Sequence, residues 1–155
     1  MPDVDIDSVD ILVSRLPRLF RSPRPRVSSY LSAGWLDLVS SALHDVDGLL
    51  AGASAYDLFE IHQIKEKFGR LRIYWSLERE GELALTVHPE TKTRLRSTPL
   101  DPSELFVAIR ERIDAAERET GSVCELCGAA ASHSSSGGWH STLCDSCRAK
   151  REATG

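Results

Sequence analysis

The chain carries four cysteines, all near its C-terminus: Cys124-Glu125-Leu126-Cys127, a gap of sixteen residues, then Cys144-Asp145-Ser146-Cys147. Two C-x-x-C pairs at this separation have the spacing of a zinc site. Zinc favours a tetrahedron and takes thiolates readily. Two cysteines with two residues between them can wrap a tight turn and offer both sulfurs to one ion. Gly128 follows Cys127 directly and can take the positive φ that closes such a turn. Cys144 and Cys147 are spaced to share one face of a first helical turn. Four thiolates close the coordination shell, so the ion would fasten structure and leave no open position for water. His133 and His140 lie between the pairs and could replace a thiol; with four cysteines present they are not expected to be ligands.

The competing readings are disulfides or a redox pair. Met1–Asp10 is acidic and lacks the apolar stretch of a secretory leader, so a cytoplasmic, reducing location is the expectation. A redox C-x-x-C would follow a strand in a βαβ unit, and this one follows a helix. Residues 145–152 are rich in helix formers, so a helix should carry the second pair. A knuckle, a loop or hairpin, then a helix is similar to the treble-clef or GATA-like arrangement. Residues 129–138 are small and polar and read as a loop. Trp139 is the exception, expected to cover the metal site or pack on the helix.

The rest of the chain must position this finger. Its 155 residues suffice for one ordinary domain and a small appendage. A 41% hydrophobic share is normal for a globular protein, and the net charge of -4 argues against a general nucleic-acid binder while allowing a local basic patch. No apolar run is long enough to span a membrane. Val9, Leu12, Val13 and Leu16 fall at helical spacing. Arg15, Arg18, Arg21, Arg24 and Arg26 follow, with Pro17, Pro23 and Pro25 stopping regular structure. Residues 34–51 form an amphipathic helix running from Gly34 to Gly52, with Trp35, Leu38, Val39, Ala42, Leu43, Val46, Leu49 and Leu50 on one face and His44 at its boundary. Residues 56–77 read as a β-hairpin turning at Lys67-Phe68-Gly69-Arg70. Residues 81–98 read as a second hairpin bearing Arg94 and Arg96, which would complete a four-stranded meander. A helix over 101–120 is capped by Asp101, with Pro102 at its first position, a stripe of Leu105, Ile109, Ile113 and Ala116, and a stop at Gly121. The fold class is therefore α+β. A small antiparallel sheet of two hairpins is packed by two or three helices and followed by the four-cysteine finger. The boundaries are 1–26 (helix and Arg/Pro-rich linker), 27–121 (body) and 122–155 (finger).

Strand alternation has a chemical consequence in the first hairpin. Arg70 and Arg72 project from one face while Leu71 and Ile73 go to the other. Lys65 and Lys67 approach from the partner strand, making a positive patch interrupted by Glu66 on which a phosphate or carboxylate can dock. A solvated sheet face would carry the same residues. Two functions follow. The first is a non-catalytic zinc protein whose basic hairpin (Lys65, Lys67, Arg70, Arg72) contacts a protein or nucleic acid. The second is an enzyme acting on an anionic, phosphate-bearing substrate through His62, Glu60, Glu66, Lys65, Arg70, Arg72 and Tyr74. Against the second, alternation can put His62 and Arg72 on opposite faces. No nucleophile–histidine–acid motif and no Gly-rich phosphate loop occurs.

The string from Gln63 to Tyr74, QIKEKFGRLRIY, resembles a Q-x-K-E-K-F-G-x-L-R-x-Y motif of small, mostly uncharacterised proteins of bacteria and their phages. The likeness continues in Ile113-x-x-Ala116-Glu117-x-x-Thr120, in the C-x-x-C-G knuckle, in Gly138-Trp139-x-x-Thr142-Leu143-Cys144-Asp145 and in Gly34-Trp35. It covers about two-thirds of the chain. Those proteins often have Gly where Arg70 stands and His where Cys147 stands, and residues 78–100 resemble an insertion. The resemblance implies a small zinc-containing α/β domain and a role in phage–host conflict by association; it implies no enzymatic activity.

Overall fold

A computed structural model of the chain describes residues 7–20, 25, 29–78 and 102–154. The fold is α+β. Its helices are α1 (Ser8–Arg15), α2 (Leu36–Ala53), α3 (Pro102–Glu119) and α4 (Asp145–Thr154). Its strands are β1 (Phe59–Lys67), β2 (Arg70–Leu77), β3 (Ser132–Ser136) and β4 (Trp139–Leu143), forming two separate two-stranded antiparallel sheets. The expected second hairpin over 81–98, the Asp101 cap and Arg21, Arg24 and Arg26 lie outside the described residues.

The helices form where apolar spacing and caps agree. The Asp7 carboxylate accepts from the Val9 amide at 2.8 Å, capping α1, and Val9 and Leu12 are fully buried. Pro17 does not end regular structure; it opens a 3₁₀ turn, Pro17–Leu19, that buries Leu19. The helix expected from Gly34 begins instead with a 3₁₀ turn over Ala33–Trp35, and α2 starts at Leu36. It also runs past Gly52. Ser54 takes the left-handed conformation (φ 51°), with its amide on Ala51 O and the Ala55 amide on Leu50 O. This is a Schellman stop, and the burial of Ala55 in the core holds a serine where glycine is the usual occupant.

α2 and α3 pack together against one face of β1–β2. Trp35, Leu43, Leu50, Phe59, Ile64, Leu71, Ile109 and Ile113 belong to the resulting core. A β-bulge at His62 shifts the register between Ile61 and Gln63, so Ile61 and Ile64, three apart, both reach that core. A lone hairpin is marginal and its edges expose unpaired backbone groups. Here both edges are covered by side chains. On the β2 edge, Thr120 Oγ1 accepts from the Leu71 amide at 3.1 Å and Glu117 Oε1 from the Ile73 amide at 2.8 Å. On the β1 edge, Ser29 Oγ accepts from the Ile64 amide at 3.0 Å and the Tyr30 amide donates to Ile64 O at 2.8 Å.

Glu117 keeps this position at a cost. Burial pushes its carboxyl pKa upward, against the opposing pull of the Ile73 amide and the Arg72 guanidinium. A carboxyl whose pKa is raised on folding binds its proton more tightly in the folded state, so stability falls as pH rises from 4.5 through the folded value. Urea denaturation of the wild type and Glu117→Gln at a series of pH values should show the wild type losing stability relative to the variant over that window. Thr120→Val, which leaves the buried Leu71 amide without an acceptor, should cost about 1–3 kcal/mol.

Candidate metal centre and basic hairpin

The knuckle is built by backbone hydrogen bonds. The Gly128 amide donates to Cys124 O at 2.9 Å and the Cys124 amide to Ala129 O at 2.8 Å, with Gly128 at φ +80° as the tight turn requires. Cys144 immediately precedes α4, and Cys147 lies in its first turn, where its amide donates to Cys144 Sγ at 3.4 Å. The four sulfurs all lie within 4.8 Å of one another, and those of Cys127 and Cys144 are 3.6 Å apart. A tetrahedron with metal–sulfur bonds of about 2.3 Å has edges of about 3.8 Å, so the set fits one ion. All four cysteines are free thiols.

The electrostatics suit thiolates. Burial opposes ionisation of Cys124, but the amides of Cys144, Cys127 and Leu126 outweigh it and pull the thiol down to about 6. Without a cation the charge cannot spread. The neighbouring Cys144 and Cys127 thiols push Cys147 up to about 12. A divalent ion would displace the proton that hydrogen bonds with those thiols hold on Cys147, and coupling of metal binding to deprotonation and folding is ordinary at such sites.

Between the knuckles the chain is a hairpin, not the expected loop. Ser132–Ser136 pairs with Trp139–Leu143 across Gly137-Gly138, both at positive φ (57° and 81°). Two such residues make the two-residue turn that joins twisted strands. Trp139 covers nothing: it is 73% exposed at the turn and faces away from the side that carries His133, His140 and Thr142. Neither histidine belongs to the sulfur cluster. His133 donates from Nε2 to Phe68 O at 2.9 Å and stacks on His140, which meets the Phe68 ring edge-on.

These contacts seat the finger on the body. Thr142, fully buried, donates from Oγ1 to Gly69 O at 2.7 Å. Gly69 sits at φ +75°, and a Cβ there would lie 3.0 Å from the His133 ring and 3.1 Å from Ser141 N. A second joint lies at Gly34-Trp35. The indole donates to Val123 O at 2.8 Å and the Gly34 amide to Glu125 O at 2.9 Å. A Cβ on Gly34 would fall 2.1 Å from Cys124 O. Glu125 then accepts from the Thr142 amide and pairs with Arg151 of α4. Sequence reading named Thr120 and Thr142 as positions of the resembling motifs but gave neither them nor Glu125 a role. The available signal was threonines in otherwise apolar or cysteine-rich surroundings.

The register of β1–β2 decides the basic patch. Lys65 pairs with Arg72 and Lys67 with Arg70, so the four cations share the face opposite the core. Glu66 pairs with Leu71 and is turned to the other face, where it accepts from the Gly69 amide at 2.5 Å. It therefore does not interrupt the patch. Arg72 alone of the four has an acidic partner among the described residues, Glu117 at 3.6 Å. Lys67, Phe68, Arg70, Arg72, His133 and His140 line a groove of about 430 Å³ where hairpin and finger meet. His62 is bonded to Ser76 at 2.7 Å. Ser76 stands four residues along β2 from Arg72, about 13 Å away at the usual rise.

Gly34→Ala should force Cys124 and Glu125 apart from α2. We expect about 1–3 kcal/mol of destabilisation, as for other overpacked sites, and metal affinity about 10- to 100-fold weaker, as for other lost supporting contacts. Denaturation and competition against a chromophoric chelator measure the two effects.

Compared with protein-family models, curated proteins and solved structures, the chain matches none of them.

Proposed function

We propose that the chain is a non-catalytic zinc protein that serves as a macromolecular interaction module, with the outer face of β1–β2 as its contact surface. The choice of zinc is supported by the donor set: four sulfurs at tetrahedral spacing with backbone amides turned toward them. The observation that carries the contact surface is the pairing of four cations on one solvent-facing side of a hairpin whose tip is held by the finger. Like charges directly opposite one another weaken a sheet. The arrangement therefore favours a partner that brings negative charge.

The groups considered for acid–base chemistry do not converge. His62 is bonded to Ser76, four residues along β2 from Arg72, and Glu66 is on the far face. The groove joins cations and imidazoles and contains no hydroxyl or thiol nucleophile among its lining residues. That lining supports the binding reading.

On immobilised heparin, used as a model polyanion, Lys67→Ala with Arg72→Ala should elute at clearly lower salt than the wild type. Metal content and melting temperature should stay unchanged, because Glu117 still accepts from the Ile73 amide. Equal elution would remove the hairpin from the contact surface. Cys144→Ser should release the metal and destabilise about the last thirty residues, read by metal analysis and by proteolysis.

A further inference from the structure

We propose that this face binds single-stranded nucleic acid, with Lys65, Lys67, Arg70 and Arg72 taking phosphates and Tyr74 and Phe68 stacking on bases. The inference rests on the contact-surface reading above and names its occupant.

The first argument is the order of residue types along the face. Passing from the middle of the hairpin to its tip, the outer positions are Tyr74, then the Lys65/Arg72 pair, then the Lys67/Arg70 pair, then Phe68 at the turn. Beyond Phe68 the finger adds the stacked His140 and His133 rings. Two consecutive cation pairs are therefore flanked by rings at both ends. Successive cation pairs are two residues apart, about 7 Å, so the face addresses a repeated anion and not an isolated one.

The second argument is exposure. Tyr74 is 43% and Phe68 62% exposed, unusual for large rings beside a built core. Each carries an ammonium: Lys65 Nζ lies 5.2 Å from the Tyr74 ring centre and Lys67 Nζ 5.4 Å from that of Phe68. Phe68 is fixed in place although its backbone is left-handed (φ 55°), because its carbonyl is held by His133 and the next residue by Thr142. A ring held in a strained conformation with its surface in water is poised for a flat ligand.

The third argument separates ligand classes. An acidic peptide would satisfy the cations and leave the rings unused. A duplex hides its base faces and offers phosphates alone, and a chain of net charge -4 is poorly suited to backbone binding by charge alone. A single strand supplies both partners, since unpaired bases stack on aromatic side chains while phosphates meet the cations.

Fluorescence anisotropy of the metal-loaded full chain tests this with three labelled probes: a short oligothymidylate, a duplex of the same length and an oligoglutamate of similar charge. The oligothymidylate should bind tightest. Tyr74→Ala and Phe68→Ala should each weaken it by about fivefold or more, and Tyr74→Phe should restore binding. Lys65→Ala with Lys67→Ala should make the log–log salt slope shallower by about 1.4, two phosphate contacts at about 0.7 each for a single strand. Melting temperature and metal content verify that each variant is folded. Duplex bound as tightly as single strand, with no effect of Tyr74→Ala or Phe68→Ala, overturns the stacking claim. Oligoglutamate preferred, with sensitivity confined to the lysines and arginines, overturns nucleic acid as the occupant and leaves the contact surface standing. No binding of any probe, or binding indifferent to the cations, overturns both.

Discussion

Two close approaches at glycines hold the finger to the body. At Gly69 the turn of the first hairpin lies against His133 and Ser141, and at Gly34 the start of α2 lies against Cys124 and Glu125. Gly34 has no room for a Cβ; at Gly69 one would be tightly placed, and that residue also needs a positive φ. The rest of the site depends on these joints. Metal binding would fix the knuckle and α4, the knuckle fixes β3–β4, and β3–β4 places His133 and His140 beside Arg70 and Arg72. An ion on the sulfurs would thereby bear on the groove's shape through packed backbone.

The same joints explain how a two-stranded sheet can stand alone among the described residues. Its backbone has three open sides: two edges and a turn. Thr120 and Glu117 answer the amides of β2, and Ser29 and Tyr30 answer Ile64 on β1. Thr142 and His133 take the two carbonyls of the turn. The partners come from three separate parts of the chain, so the hairpin is stable only in its assembled setting. Thr120 illustrates the economy: its hydroxyl donates to Glu117 O at 2.6 Å while accepting from Leu71. A buried hydroxyl with both roles filled carries little desolvation penalty.

Much of this was legible in the sequence, wherever one residue type has one physical use. The cysteine spacing announced the sulfur cluster, and apolar periodicity announced α1, α2, α3 and the first hairpin. The misses share a cause. β3–β4 has no apolar alternation, being serine, histidine and glycine, so pattern reading gave a loop; turn geometry and docking against Gly69 make it a hairpin instead. Gly52 resembled a helix stop, but the burial of Ala55 set the stop at Ser54. Glu66 seemed to break the basic patch because adjacency along the chain was taken for adjacency on a face; pairing with Leu71 turns it away. His62 could not be placed because a bulge leaves no trace in composition.

The acidic total and the basic face are compatible for a reason of scale. Exposed charges further apart than a screening length of about 8–10 Å barely feel one another in physiological salt. Lys65, Lys67, Arg70 and Arg72 occupy two adjacent cross-strand pairs about 7 Å apart, so they act as one charge cluster. Among the described residues one acid, Glu117 of α3, reaches the cluster, through Arg72 at 3.6 Å, and Glu66 stands behind the sheet. A ligand reaching the face meets the local field, while the net charge of -4 governs solubility and disfavours indiscriminate attraction to polyanions. Binding by charge alone would then be weak. On the proposed reading, a partner that binds well also uses the rings that flank the cations, Tyr74 at one end and Phe68 at the other.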